Sequence, residues 1–138
     1  MGNTFQGLHS LICAYAQISG RLLAGAGETQ IRALADFGLN LGIAFQITDD
    51  LLDIIGDESK TGKTLGSDVN KNKLTLATIH LLRAVDESGK SGVTEMLNSP
   101  GESKKALVEM LRSYGSLEYA HGRSQDFVAK AIASLASL

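Results

Sequence analysis

Apolar positions recur at helical spacing through most of the chain. Leu8, Leu11, Ile12, Tyr15, Ile18 and Leu22 predict a helix over 5–25, broken at Gly25-Ala26-Gly27. A second, long helix is expected from about Glu28 to Ile55. Gly56 is its expected stop, because glycine readily takes the left-handed geometry that ends helices. Residues 57–72 are polar and hold Gly62, Gly66, Asn70 and Asn72, which predicts a loop. Leu74, Ala77, Ile79, Leu81 and Leu82 predict a helix from Lys73 to about Val85, after which Gly89, Gly92, Pro100 and Gly101 are expected to bound short connections. Leu107, Val108, Met110 and Leu111 predict a further helix stopped near Gly115. Leu117, Ala120, Ser124, Phe127, Val128, Ala131, Leu135 and Leu138 predict a last one over 116–138. The expected fold is all-α, with about five or six helices in a single domain over 1–138.

Composition sharpens this picture. Leu (20) and Ala (15) outnumber Val plus Ile (14), which favours helix over strand. With 43% apolar residues in 138, the chain can fill a core. A net charge of −2 excludes a basic nucleic-acid arm and a long acidic tail. The single cysteine, Cys13, excludes an intrachain disulfide framework and a multi-cysteine zinc site, and reads as a packed thiol. Residues 7–26 are fairly apolar, but no Lys or Arg precedes them, unlike a signal peptide. His9, Ser10, Gln17 and Ser19 break that run, so no spanning segment is expected and the cytoplasm is the default location. His9, His80 and His121 lack ligand spacing and suggest no zinc site; Phe37 and Phe45 read as core or cavity wall.

The segment that carries chemistry is Gly38–Asp53, GLNLGIAFQITDDLLD. Six acids and no Lys or Arg occur between Ala33 and Ser59. At about 100° per residue, Gln46, Asp49, Asp50 and Asp53 share one stripe of the helix, and Gly42 extends it one turn back, leaving room for a ligand. The remaining positions are apolar nearly all round, which predicts a buried helix. Buried carboxylates need a cation, a cavity or basic partners, since isolated charges are costly away from water. Hard carboxylate oxygens in this density suit Mg²⁺, which retains waters and bridges to phosphate. The bland alternative is a solvated acidic face. Capping explains the stripe poorly, because acids late in a helix oppose its dipole.

Lys60, Lys63, Lys71 and Lys73 follow, with Asp68 among them, as a solvated loop or a diphosphate contact. Gly62-Lys63-Thr64 is not a P-loop ending, because position 57 is Asp and a helix precedes it. Asp49–Glu58 is not a calcium loop, because Leu51, Ile54 and Ile55 interrupt the ligand alternation.

GIAFQITDDLLD resembles the second aspartate-rich motif of the trans-polyprenyl diphosphate synthases. Gly62-Lys63-Thr64-Leu65-Gly66-Ser67-Asp68-Val69 and Lys73-Leu74-Thr75-Leu76 are similar to the loop and helix start that follow it in that family. Residues 38–76 carry the match, and a looser likeness runs from about residue 7 to the C-terminus. The resemblance implies the C-terminal half of the isoprenoid-synthase helical bundle. It also implies a Mg²⁺-dependent prenyltransferase that condenses an allylic prenyl diphosphate with isopentenyl diphosphate. By the same resemblance, Asp49 is a direct metal ligand, Asp50 and Asp53 are supporting carboxylates, and Asp68 is a loop acid near the metals. Gln46 lines the substrate cavity, and Lys63 and Lys73 contact the allylic diphosphate.

The family's first aspartate-rich motif, the arginine pair that follows it and the Lys-Thr pair expected near Gly7-Leu8 are absent, and Asn72 and Ala77 stand where the family has Gly and Pro. Half of an active site is therefore expected here. A truncated chain, a split subunit and a degenerate paralogue remain open, as does a non-catalytic subunit that binds prenyl diphosphate or a partner helix bundle. Further expectations are association, as a homo-oligomer or with the missing N-terminal half, and little or no turnover by this chain alone.

Overall fold

The computed structural model describes residues 25, 27–55, 74–98 and 100–138. These form α1 (Glu28–Ile55), α2 (Leu76–Ala84), α3 (Glu87–Asn98), α4 (Pro100–Ser113) and α5 (Ser116–Ser134), ending in a 3₁₀ turn, Leu135–Ser137. Among the described residues there is no strand, so the all-α expectation holds. No described helix is long and apolar enough to cross a membrane. The expected helix over 5–25, Cys13, the Gly56 stop and the 57–72 loop lie outside the described residues. The chain divides into two compact units, Ile47–Gly122 and the remainder.

In the unit that holds α1 up to Gln46 and α5 from Arg123, helix entry is local. The Gly27 carbonyl accepts from the Ile31 amide at 3.1 Å, and the Gln30 side chain reaches back to accept from the Gly27 amide at 3.0 Å. That is one half of a capping box. Ala33, Ala44 and Ala131 are buried, and the buried Ser124 hydroxyl donates to the Ala44 carbonyl at 3.0 Å. Small side chains here let the two backbones come close enough for that bond.

In the Ile47–Gly122 unit, α3 packs on α4 and α2 packs on both. Ile54, Leu81, Val93, Leu107 and Leu111 are almost fully buried and form its core. Helix α2 starts at Leu76 rather than Lys73, because Thr75 is its cap. The Thr75 hydroxyl accepts from the Thr78 amide at 3.3 Å, and the Thr75 amide donates to the Thr78 hydroxyl at 2.8 Å.

The short connections expected around Gly89 and Gly92 are corrected: both glycines lie inside α3. Asp86 opens that helix by accepting from the Gly89 amide at 2.8 Å, while Val93 and Leu97, one turn apart, are buried. Burial of that pair outweighs the weak helix preference of two glycines. Pro100 starts α4 rather than bounding a connection, and proline is tolerated in a first turn, where its missing N–H costs nothing. Gly115 stops α4 as expected, with φ of 64° and its amide bonded to the Arg112 carbonyl at 3.0 Å.

An apolar helix of this kind is expected to be buried in a complete bundle, and within this chain α1 is covered only in part. Leu39, Leu41 and Phe45 are exposed, the last by 56%, and so are Leu52 and Ile55. Phe45 is therefore not core within this chain, while Phe37 is half-buried. The described helices present too few neighbours to cover an apolar helix on every side.

Candidate aspartate site on the long helix

Helix α1 runs unbroken through the aspartates to Ile55. Its length follows from a mostly apolar, proline-free sequence with no strong breaker after Gly42. Gly42 is buried, so it does not open as room at the surface. Gln46 is half-buried and belongs to the unit that holds the first part of the helix.

The three aspartates belong to the Ile47–Gly122 unit and meet different surroundings. Asp49 is exposed, Asp53 is half-buried, and Asp50 retains only 6% of its accessible surface. Helix geometry permits the split, and packing decides which side is covered. Asp49 and Asp53 are four residues apart and point within about 40° of each other, so their carboxylates share a face. Asp50 is turned away from Asp53 by about 60° and from Asp49 by about 100°. It lines a narrow crevice with Ile47, Leu51 and Ile54 of its own helix, Thr75, Leu76 and Ala77 at the start of α2, and Ala120 of α5. Asp50 and Asp53 both have interaction partners.

Among the described residues, no group of three or more His, Cys, Asp or Glu side chains is gathered closely enough to hold a metal ion. The fitting arrangement is smaller. One or two carboxylates combined with phosphate oxygens and waters make a usual Mg²⁺ shell, and Asp49 with Asp53 offers that number of hard donors on one face. Lys63, Asp68 and Lys73 lie outside the described residues. A separate cavity of about 420 Å³, lined by residues including Glu28, Arg32, Asp36 and Ser134, contains none of the residues that the sequence singled out.

One polar constellation escaped the sequence. The half-buried His80 of α2 places Nδ1 2.9 Å from the hydroxyl of the fully buried Ser116, and its ring stacks on Tyr119 at 4.3 Å. Thirty-six positions separate the hydrogen-bonded pair, and no spacing rule links residues so far apart. His121, by contrast, is exposed.

Comparison with known proteins bears on the whole arrangement. Residues 9–114 match the family model for polyprenyl synthetase. A short chain isoprenyl diphosphate synthase from Methanothermobacter thermautotrophicus is 36% identical over 121 residues, 87% of this chain and 37% of that protein. The crystal structure of geranylgeranyl pyrophosphate synthetase from Pyrococcus horikoshii superposes with a TM-score of 0.81 at 35% identity, covering 94% of this chain and 40% of that one. A polyprenyl synthase from Caulobacter crescentus, complexed with calcium and isoprenyl diphosphate, gives a TM-score of 0.83 at 29% identity, over 95% and 41% of the two chains. The chain thus spans about two fifths of the length of the relatives it matches. With most of the sequence under one family model and the helices superposing on solved members, the chain belongs to the polyprenyl synthetase family.

Proposed function

We propose that this chain supplies one aspartate-bearing part of a prenyltransferase that condenses an allylic prenyl diphosphate with isopentenyl diphosphate. The observation that carries this reading is the Asp49–Asp53 pair on one face of α1, within a chain of the polyprenyl synthetase family. Asp49 and Asp53 would hold Mg²⁺ jointly with diphosphate oxygens, and Asp68 would add a loop carboxylate. Gln46 would line the substrate cavity. Lys63 and Lys73 would offset the diphosphate charge through charge-assisted hydrogen bonds. The chemistry that bound Mg²⁺ supplies is electrostatic stabilisation of the departing diphosphate. The Caulobacter relative, complexed with calcium and isoprenyl diphosphate, supports a divalent cation and a prenyl diphosphate as ligands here.

The chain's share of its relatives favours binding without turnover when it is alone. One carboxylate pair would hold only part of the cation set that offsets the charge developing on a leaving diphosphate, so the remaining stabilisation must come from elsewhere. The exposed Leu41 and Phe45, and separately the exposed Leu52 and Ile55, support association, with a second copy or with the rest of a synthase bundle. The proposal sets this activity in the cytoplasm. Calorimetric titration with Mg²⁺ and pyrophosphate tests the site, and a product assay with dimethylallyl and isopentenyl diphosphates tests turnover. Saturable, Mg²⁺-dependent pyrophosphate binding with negligible product is the expected pair of results. Absence of binding would overturn the site, and robust product formation by the pure chain would overturn the partial role.

A further inference from the structure

We propose that Asp50 is a positioning residue, braced against the N-terminal end of α2, that sets the direction in which Asp49 and Asp53 face. This rests on the function proposed above and assigns a division of labour within its aspartate stripe.

Three observations meet here. Asp50 is the one charged residue among the buried polar side chains of the described residues. It shares its crevice with Thr75, Leu76 and Ala77, the cap and first two residues of α2. Thr75 and Thr78, which build the capping box at that end, are themselves buried. An anionic side chain is favoured beside a helix N-terminus, where amide dipoles leave partial positive charge, and low local dielectric strengthens the effect. The capping box engages the amides of Thr75 and Thr78. The carboxylate acts on the same end through charge, so the two devices complement each other.

The consequence follows from helix rotation. An inward Asp50 fixes the rotation of α1 about its axis, and the pair formed by Asp49 and Asp53 is then turned to one side of it. Asp49 is exposed as this requires. A ligand role for all three would instead need three carboxylates converging, which the described residues do not show.

The test compares the full chain with Asp49→Asn and Asp50→Asn, the latter chosen because it keeps shape while removing charge. Hydrogen exchange of the Leu76–Ile79 amides is measured without metal or diphosphate. Mg²⁺-dependent pyrophosphate binding is then measured by calorimetry well below the unfolding transition. Asp50→Asn is expected to speed α2 exchange about tenfold. It should also weaken pyrophosphate binding about tenfold at unchanged stoichiometry, as loss of an outer partner does. Asp49→Asn is expected to leave α2 exchange unchanged and abolish saturable binding. If Asp50→Asn does not fold, Asp50→Ser takes its place in both measurements, with the same results expected and the same results overturning the proposal.

Unchanged α2 exchange in Asp50→Asn, whatever happens to binding, overturns the proposal. Faster exchange with unaltered affinity also overturns it, by leaving Asp50 a purely structural residue. If the wild-type chain binds no pyrophosphate, the proposed function fails, and the α2 exchange still decides whether Asp50 braces that helix.

Discussion

The Nδ1 atom of His80 lies 2.9 Å from the hydroxyl of Ser116, tying α2 to the first residue of α5. Ser116 is fully buried, and Tyr119, one turn further along α5, stacks on the imidazole with the rings 21° from parallel. Removing the hydroxyl leaves a half-buried ring nitrogen without this partner. Ser116→Ala is expected to cost about 1–3 kcal/mol. Urea denaturation checks this, and an unchanged midpoint would show that water replaces the bond without loss.

Two glycines in α3 should respond with opposite signs. A Cβ at Gly89 would stand 2.8 Å from Val85 Cβ, a closeness that requires something to shift. Gly89→Ala is expected to destabilise by about 1–3 kcal/mol, as overpacking does. A Cβ at Gly92 meets nothing within 4 Å. Gly92→Ala should therefore stabilise by about 0.5–1 kcal/mol, through reduced freedom of the unfolded chain and better helix propensity. Paired thermal or urea melts of the two variants read the contrast.

Charge arithmetic separates metal binding from diphosphate binding. Asp49→Ala is expected to remove most Mg²⁺-dependent pyrophosphate binding. Lys73→Ala should weaken pyrophosphate binding while bare Mg²⁺ binding stays near wild type, because an ammonium group meets phosphate and not metal. Matching isotherms for wild type and Asp49→Ala would end the assignment of Asp49.

Phe45 is 56% exposed, so a polar side chain there should be accepted by the fold and resisted by an interface. Phe45→Ser is expected to leave the chain folded, at a cost of about 1 kcal/mol for the covered part of the ring. It should shift sedimentation towards the monomer. A wild-type chain that sediments as a monomer at high concentration would count against association altogether.

The sequence by itself determined what depends on near neighbours. Glu28 to Ile55 reads as one helix because its apolar positions recur without a breaker, and Gly115 stops α4 because left-handed geometry is a local property. The grouping of Gln46, Asp49, Asp50 and Asp53 on one stripe follows from residues per turn alone. Tertiary structure decided what that stripe meets. It turned Asp50 inward beside Thr75 and left Asp49 in solvent, a difference between adjacent aspartates that no composition or spacing contains. It made a helix of the glycine-bearing stretch before Pro100, because Val93 and Leu97 found a core to enter. It left Phe45 at the surface and brought Ser116 to His80. The physical reason is common to all four. Periodicity states which side chains share a face, whereas burial depends on which distant segments pack against that face.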